Sequence, residues 1–102
     1  GVNMPKGYLI GFVKVTNGQE FKARYSSKVV GVFEKYEGKF LVQTSVASHH
    51  EGRDFDRHVV VEFPSLEKAV LAVDSKEYQE IKCHRISNSD IDYGSFMLVS
   101  GV

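Results

Sequence analysis

The chain has 102 residues, 42% apolar and 25% charged, which is room for one domain with a modest core and too little for two. Lys plus Arg and Asp plus Glu both number 13, so the formal net charge is zero. That balance lacks the electrostatic footprint of a nucleic-acid or anionic-membrane binder. One cysteine, Cys83, excludes an internal disulfide and reads as a small half-buried side chain on a helix; a reducing, cytoplasmic setting fits it. The N-terminal apolar run Tyr8–Val13 ends at Lys14, too short for a span and without a cleavage pattern, so neither anchor nor signal peptide is expected. Gly1–Asn3, ahead of Met4, reads as an appended remnant, leaving 4–102 as a single domain.

In chain order, "GYLIGFVKVT" (Gly7 to Thr16) predicts a first strand, rich in β-branched and aromatic residues. Asn17 follows as a helix N-cap with Glu20 at capping-box spacing. Behind it, Phe21, Tyr25, Val29, Val32, Phe33 and Tyr36 fall on one helical stripe, and Gly38 is the expected stop. "KFLVQTSVA" (Lys39 to Ala47) is a second strand, "SHHEGRDFD" a polar turn and "RHVVVEF" a third strand. Ser65 can cap a second helix carrying Leu66, Ala69, Val70 and Val73. "DSKE" repeats the capping-box spacing at Asp74 and Glu77 and opens a further helical segment with Tyr78 and Ile81. "YGSFMLVSGV" closes the chain as a last strand.

The order β-α-β-β-α-β predicts an α+β, ferredoxin-like fold, a four-stranded antiparallel sheet with helices on one face. The other face should read polar if it meets water, and it does not. Leu9, Val13 and Val15 alternate with Tyr8, Ile10 and Phe12, and Phe96 and Leu98 alternate with Met97 and Val99, so both faces are apolar. Covering roughly 400 Å² per chain at about 25 cal/mol per Å² gives on the order of 20 kcal/mol gross, before association costs. A second copy is the expected cover, as a homodimer with sheet against sheet.

The segments "MPKGYLI", "EKYEGKFLV" and above all "RHVVVEFPSLEKA…DSKEYQEIKCHR" resemble the domain-of-unknown-function family 1330, of the dimeric α/β-barrel superfamily. That superfamily includes cofactor-free monooxygenases and muconolactone isomerase-like and YciI-like proteins. The resemblance runs from Met4 to Val102. It implies a homodimer with a cavity between sheet and helices, and no particular reaction. Three departures stand out: Glu37-Gly38 replaces a glycine pair, Gln43-Thr44-Ser45 replaces an Arg-Gly-Gly run, and Ala72-Val73 replaces an aromatic pair. Where those positions shape a pocket, this member's ligand differs from its relatives' ligands.

Strand alternation sets Val59, Val61 and Phe63 toward the helices, and His58, Val60 and Glu62 toward the open face. A carboxylate half-enclosed there by a dimer has a raised pKa unless a cation neutralises it. Arg57, Arg85 and Lys14 are the available cations, and the resemblance carries arginines at positions matching Arg57 and Arg85. Two readings stay open for Glu62. It is a general acid or base alongside His58, with Tyr25 or an arginine orienting a small substrate, or it pairs with an arginine across the dimer and fixes register. Tyr8, Phe12 and Tyr25 are the expected apolar walls of a ligand site, with Arg57 and Arg85 as its polar contacts.

His49, His50, Glu51 and Asp54 in "SHHEGRD" lack a second cluster to complete a metal site, so no metal is expected there. His84-Arg85 can reach a cavity mouth or simply face solvent. RNA-recognition modules share the element order. Overlaying their third-strand motif with Phe63 in its last aromatic place puts His58 and Val60 where base-stacking aromatics belong, and Val59 at a glycine position. No nucleic-acid or membrane partner is therefore expected. The expectation is a homodimer binding a small organic molecule, either as a cofactor-independent isomerase, lyase or oxygenase-like enzyme or as a non-catalytic binder, with no cofactor implied.

Overall fold

The computed structural model describes residues 4–102, so the remnant read at Gly1–Asn3 lies outside the described residues. Strand β1 (Gly7–Val13) leads to a three-part helix: α1 (Gly18–Phe21), a π-helical turn (Lys22–Ser26) and α2 (Ser27–Glu34). Strands β2 (Lys39–Thr44) and β3 (Arg57–Phe63) follow, then α3 (Leu66–Asp74), α4 (Lys76–Ser87) and β4 (Ser95–Ser100). The strands form one sheet in the order β2-β3-β1-β4 with every pair antiparallel, which is the expected ferredoxin-like α+β plan. No helix among the described residues is long and apolar enough to cross a membrane.

The first helix starts as its sequence predicts, with the Asn17 side chain accepting from the Glu20 amide at 3.2 Å. Its interior and its end differ from expectation. Phe21, Tyr25, Val29 and Phe33 are all buried, yet residues four apart drift about 40° per step around a helix of 3.6 residues per turn. The wider turn at Lys22–Ser26 takes up that drift, so one continuous stripe stays on the core. At the far end it is Glu37, not Gly38, that takes the left-handed conformation, at φ 64°. Gly38 serves close packing instead, since a Cβ there would lie 2.8 Å from Phe63 Cε1 and 2.9 Å from the Phe33 carbonyl oxygen.

The strand ends and the second helical region also need correction. β1 stops at Val13 because the Val15 amide turns to Asp56 Oδ2 at 2.8 Å, and β2 stops at Thr44. Ser75, rather than Asp74, caps α4: its Oγ accepts from the Tyr78 amide at 3.2 Å and donates to the Ala72 carbonyl at 2.6 Å. On α3 the buried residues are Ala69 and Ala72, while Leu66 and Val70 are exposed. Small side chains bring α3 close to the sheet, and a Cβ on Gly7 would come within 2.5 Å of the Ser65 carbonyl oxygen. Cys83 is exposed on α4 rather than half-buried.

The core lies between the sheet and the helices. Leu9, Val61 and Phe63 of the sheet pack with Phe21, Val29 and Phe33 of the first helix and with Tyr78 and Ile81 of α4. The opposite sheet face carries Tyr8, Ile10, Phe12 and Val60, all half-buried, beside exposed Val42, Met97 and Val99. It is apolar along most of its width, as the alternation predicted.

Candidate functional site

A cavity of about 260 Å³ opens between the sheet and the first helix. Its apolar walls include Leu9 and Val13 of β1, Val59 of β3, Phe21 and Val29 of the first helix, and Phe96 of β4. Gly11 forms part of the floor. It sits on β1, one of the two central strands, paired to Val59 on one side and Phe96 on the other, and a Cβ there would meet nothing closer than 3.9 Å. The missing side chain opens the space. A bulge at Phe40/Val42 shifts the register of β2, so that Phe40 and Gln43, three residues apart, both line the cavity.

The charged lining is one-sided. Lys22, Arg57 and Arg85 contribute cations, and no Asp or Glu contributes a carboxylate. Among the described residues, the ion pairs are Arg24 with Glu20 and Lys68 with Glu37, so neither Arg57 nor Arg85 has an acidic partner. Arg57 donates to the Asp56 carbonyl at 2.9 Å. The Arg85 guanidinium lies 4.3 Å from the centre of the Phe96 ring and donates from Nε to the Tyr78 hydroxyl at 3.2 Å.

Tyr78, wholly buried, has its ring stacked on Phe33 at 5.2 Å and on Phe96 at 6.1 Å. Its hydroxyl meets that of Tyr25 at 2.9 Å, and Tyr25 in turn lines the cavity from the π-helical turn. Burial, reinforced by the neighbouring Tyr78, holds the Tyr25 phenol well above its ordinary value of 10.0 against the opposing pull of Arg85. Tyr25 is therefore a protonated donor across the neutral range.

The structure thus gathers Tyr25, Arg57 and Arg85 of the expected site residues at one cavity. Glu62, His58, Tyr8 and Phe12 stand on the other side of the sheet, and none of them lines it. There Tyr8 donates its hydroxyl proton to Glu62 Oε2 at 3.2 Å. The Tyr8 pKa is raised, first by burial and then by that bond. Arg57 and Arg85 line the cavity on the helix side, away from Glu62, whose cross-strand neighbours are Tyr8 and Lys39, and Lys14 instead lies 5.8 Å from the Tyr93 ring centre. The expected cations therefore do not neutralise Glu62 within the chain.

His58 belongs to an aromatic group at the other end of that face. Its ring is 6.2 Å from Phe12 and 6.4 Å from Phe55. Its Nδ1 lies 3.1 Å from the Thr44 carbonyl oxygen, which can only accept, so Nδ1 is the donor in that contact. Among the described residues no group of three His, Cys, Asp or Glu side chains gathers, in the "SHHEGRD" loop or elsewhere.

Sequence reasoning missed Gly11, Phe21 and Gln43 as cavity residues. Gly11 had a readable signal, since a glycine inside a strand pattern marks a bulge or a site of close approach. Gln43 had a weaker one. It opens the segment that departs from the Arg-Gly-Gly run, but only the bulge decides which way it points. Phe21 looked like plain core, and it is both core and wall.

No curated protein matches the chain by sequence. Among solved structures, a protein of unknown function from Rhodopseudomonas palustris, RPA0582, superposes with a TM-score of 0.76 at 19% identity, over 96% of this chain and 83% of that one. SnoaB, a cofactor-independent oxygenase from Streptomyces nogalater, gives 0.65 at 11% identity, over 96% and 94%. A nipsnap family protein of unknown function from Agrobacterium tumefaciens gives 0.60 at 7% identity, over 100% and 92%. At these identities the likeness speaks for the fold, that of the dimeric α/β barrels. The model of the family described as Domain of unknown function (DUF1330) matches residues 6–102, nearly the whole chain, and the protein belongs to that family.

Proposed function

We propose that the protein binds a small organic molecule in the cavity between the sheet and the first helix, working as a cytoplasmic homodimer closed over the open sheet face. The carrying observation is the cavity: apolar on most sides, about 260 Å³, with a phenol and two guanidiniums in its lining that have no acidic partner among the described residues. Enclosed apolar space with a few convergent polar groups is what small-ligand sites share. The enzymatic form of this reading is cofactor-independent isomerase, lyase or oxygenase-like chemistry, with no cofactor, metal, nucleic acid or membrane involved. The likeness in fold to SnoaB supports the oxygenase branch by analogy alone. The test is a thermal-shift and NMR screen of small aromatic compounds. Shifts confined to Leu9, Gly11, Val59 and Phe21 support the cavity, and shifts confined to the open face sink it.

The open face supports a second site reading. Glu62 and His58, with Tyr8 and Phe12 beside them, would be enclosed when two sheets meet, and the Tyr8–Glu62 bond holds the carboxylate in place. Light scattering of Glu62→Gln over a dilution series separates the possibilities. Loss of the dimer makes Glu62 a register-fixing residue. A retained dimer with lost turnover of a substrate found in the screen makes it an acid or base.

A further inference from the structure

The hydroxyl of Tyr78 has two partners, Arg85 Nε at 3.2 Å and the Tyr25 hydroxyl at 2.9 Å. An arginine only donates, so the Tyr78 oxygen accepts from Arg85. Its own proton then has one acceptor in reach, the Tyr25 oxygen. The reverse order would leave the Tyr78 proton unpaired at a residue with 0% exposure, whereas in this order the proton left over is that of Tyr25, which borders the cavity. Tyr25, having accepted, turns its own proton away from Tyr78. Its ring lines the cavity, where Arg57, Arg85 and Lys22 supply positive charge and no carboxylate competes.

We infer that Arg85, Tyr78 and Tyr25 form a one-way relay aiming the Tyr25 hydroxyl proton into the cavity, and that the ligand is a small organic acid with an apolar body. Its carboxylate accepts from Tyr25 while Arg57 and Arg85 balance its charge. This rests on the cavity being the ligand site, as proposed above. The relay is rigid before any ligand arrives: the Tyr78 ring is stacked on Phe33 and Phe96, and Arg85 lies over Phe96. Little ordering is left to oppose binding. Tyr25, Arg57 and Arg85 would touch the acid, whereas Tyr78 does not line the cavity and is a positioning residue.

Two measurements test this. The first is NMR titration with benzoate and 3-phenylpropionate, each against its neutral primary amide. The acids should bind about tenfold tighter than the amides or more, as charge-assisted hydrogen bonds require. Arg57→Gln should bring that ratio toward one, and Tyr25→Phe should weaken the acids about tenfold. The second uses tyrosine labelled at Cζ in mixed light and heavy water, with Tyr25→Phe and Tyr78→Phe serving to assign the signals. The relay places the Tyr78 hydroxyl proton in slow exchange and that of Tyr25 in fast exchange, slowed when benzoate binds.

The opposite exchange order overturns the relay, and it can be read on the unmutated protein even if a variant fails to fold, because ring contacts of Tyr78 with Phe33 and Phe96 and of Tyr25 with Phe21 also assign the two signals. Equal affinity for acid and amide, or no binding of either acid at millimolar concentration, overturns the ligand class. Gly11→Ile serves as the control for the underlying reading. If it blocks binding while acids and amides bind the unmutated protein alike, the cavity stands and this inference falls. If benzoate binds Gly11→Ile unchanged, the cavity reading falls first.

Discussion

Replacing Gly11 by isoleucine should stabilise the protein and close its site in one step. A Cβ at Gly11 would find Val59 Cβ at 3.9 Å, and Leu9 Cδ2 and the Ser95 carbonyl oxygen at 4.0 Å, so the backbone has nothing to give way. Glycine inside a strand costs about 0.5–1 kcal/mol relative to alanine. Burying an aliphatic side chain contributes about 1.5–3 kcal/mol, against which misfit of the added branches costs about 1–3 kcal/mol. The net is a gain of about 1 kcal/mol, or a Tm rise of roughly 4–8 °C for a domain of this size. Calorimetry gives the Tm, and the NMR titration with benzoate gives the binding. Gly7→Ala is the contrast, because its Cβ would press to 2.5 Å on the Ser65 carbonyl oxygen, and its Tm should fall. A lowered Tm for Gly11→Ile would refute the open floor, and a raised Tm with undiminished binding would refute the cavity as the site.

Exchanging the roles of Glu37 and Gly38 gives opposite signs. Glu37→Gly should stabilise by about 1 kcal/mol, by relieving a left-handed residue at φ 64°, less whatever the exposed pair with Lys68 at 3.4 Å contributes. Gly38→Ala should destabilise by about 1–3 kcal/mol through contact with Phe63 and the Phe33 carbonyl, and urea unfolding of both variants decides it. The raised Tyr25 pKa means that the unfolded chain loses that proton first, so stability is full below pH 10 and falls as pH rises beyond it. Tyr25→Phe should flatten the alkaline slope. The Glu77 carboxyl is lowered, first by its backbone hydrogen bond and then by the Tyr36 hydroxyl at 3.0 Å. Its contribution is present above the ordinary 4.5 and lost as pH falls through the lower folded value, so Tyr36→Phe should unfold at a higher pH on acid titration. The proposed dimer closed over the open face predicts that Val60→Glu gives a monomer by light scattering where the unmutated protein gives a dimer, and a dimer that persists would place the interface elsewhere.

Local pattern alone determined most of the fold. The alternation in Tyr8–Val13 and in His58–Phe63, the Asn17 cap and the i+4 spacing of Phe21, Tyr25, Val29 and Phe33 each rest on interactions within a few residues. Local rules reach that far. They also predicted an open sheet face that is apolar along most of its width. The helix ends were less legible. Glu37 adopts a conformation a glycine would take more readily because its neighbour, Gly38, is held against Phe63 by packing that no local pattern records.

The site was legible only in fragments. Arg57, Arg85 and Tyr25 were visible as candidates, yet they come from β3, α4 and a π-helical turn, and their meeting at one cavity depends on how α4 crosses the sheet. Glu62 drew attention because a carboxylate among valines is conspicuous in one dimension. In three dimensions it lies across the sheet from that cavity, bonded to Tyr8. Gly11 shows the same limit from the other side. A sequence records which atoms a residue brings, whereas a cavity is made by atoms that are missing where distant segments meet. Composition and periodicity therefore determined the layers of this protein, and only the tertiary packing decided which of its polar groups share a space.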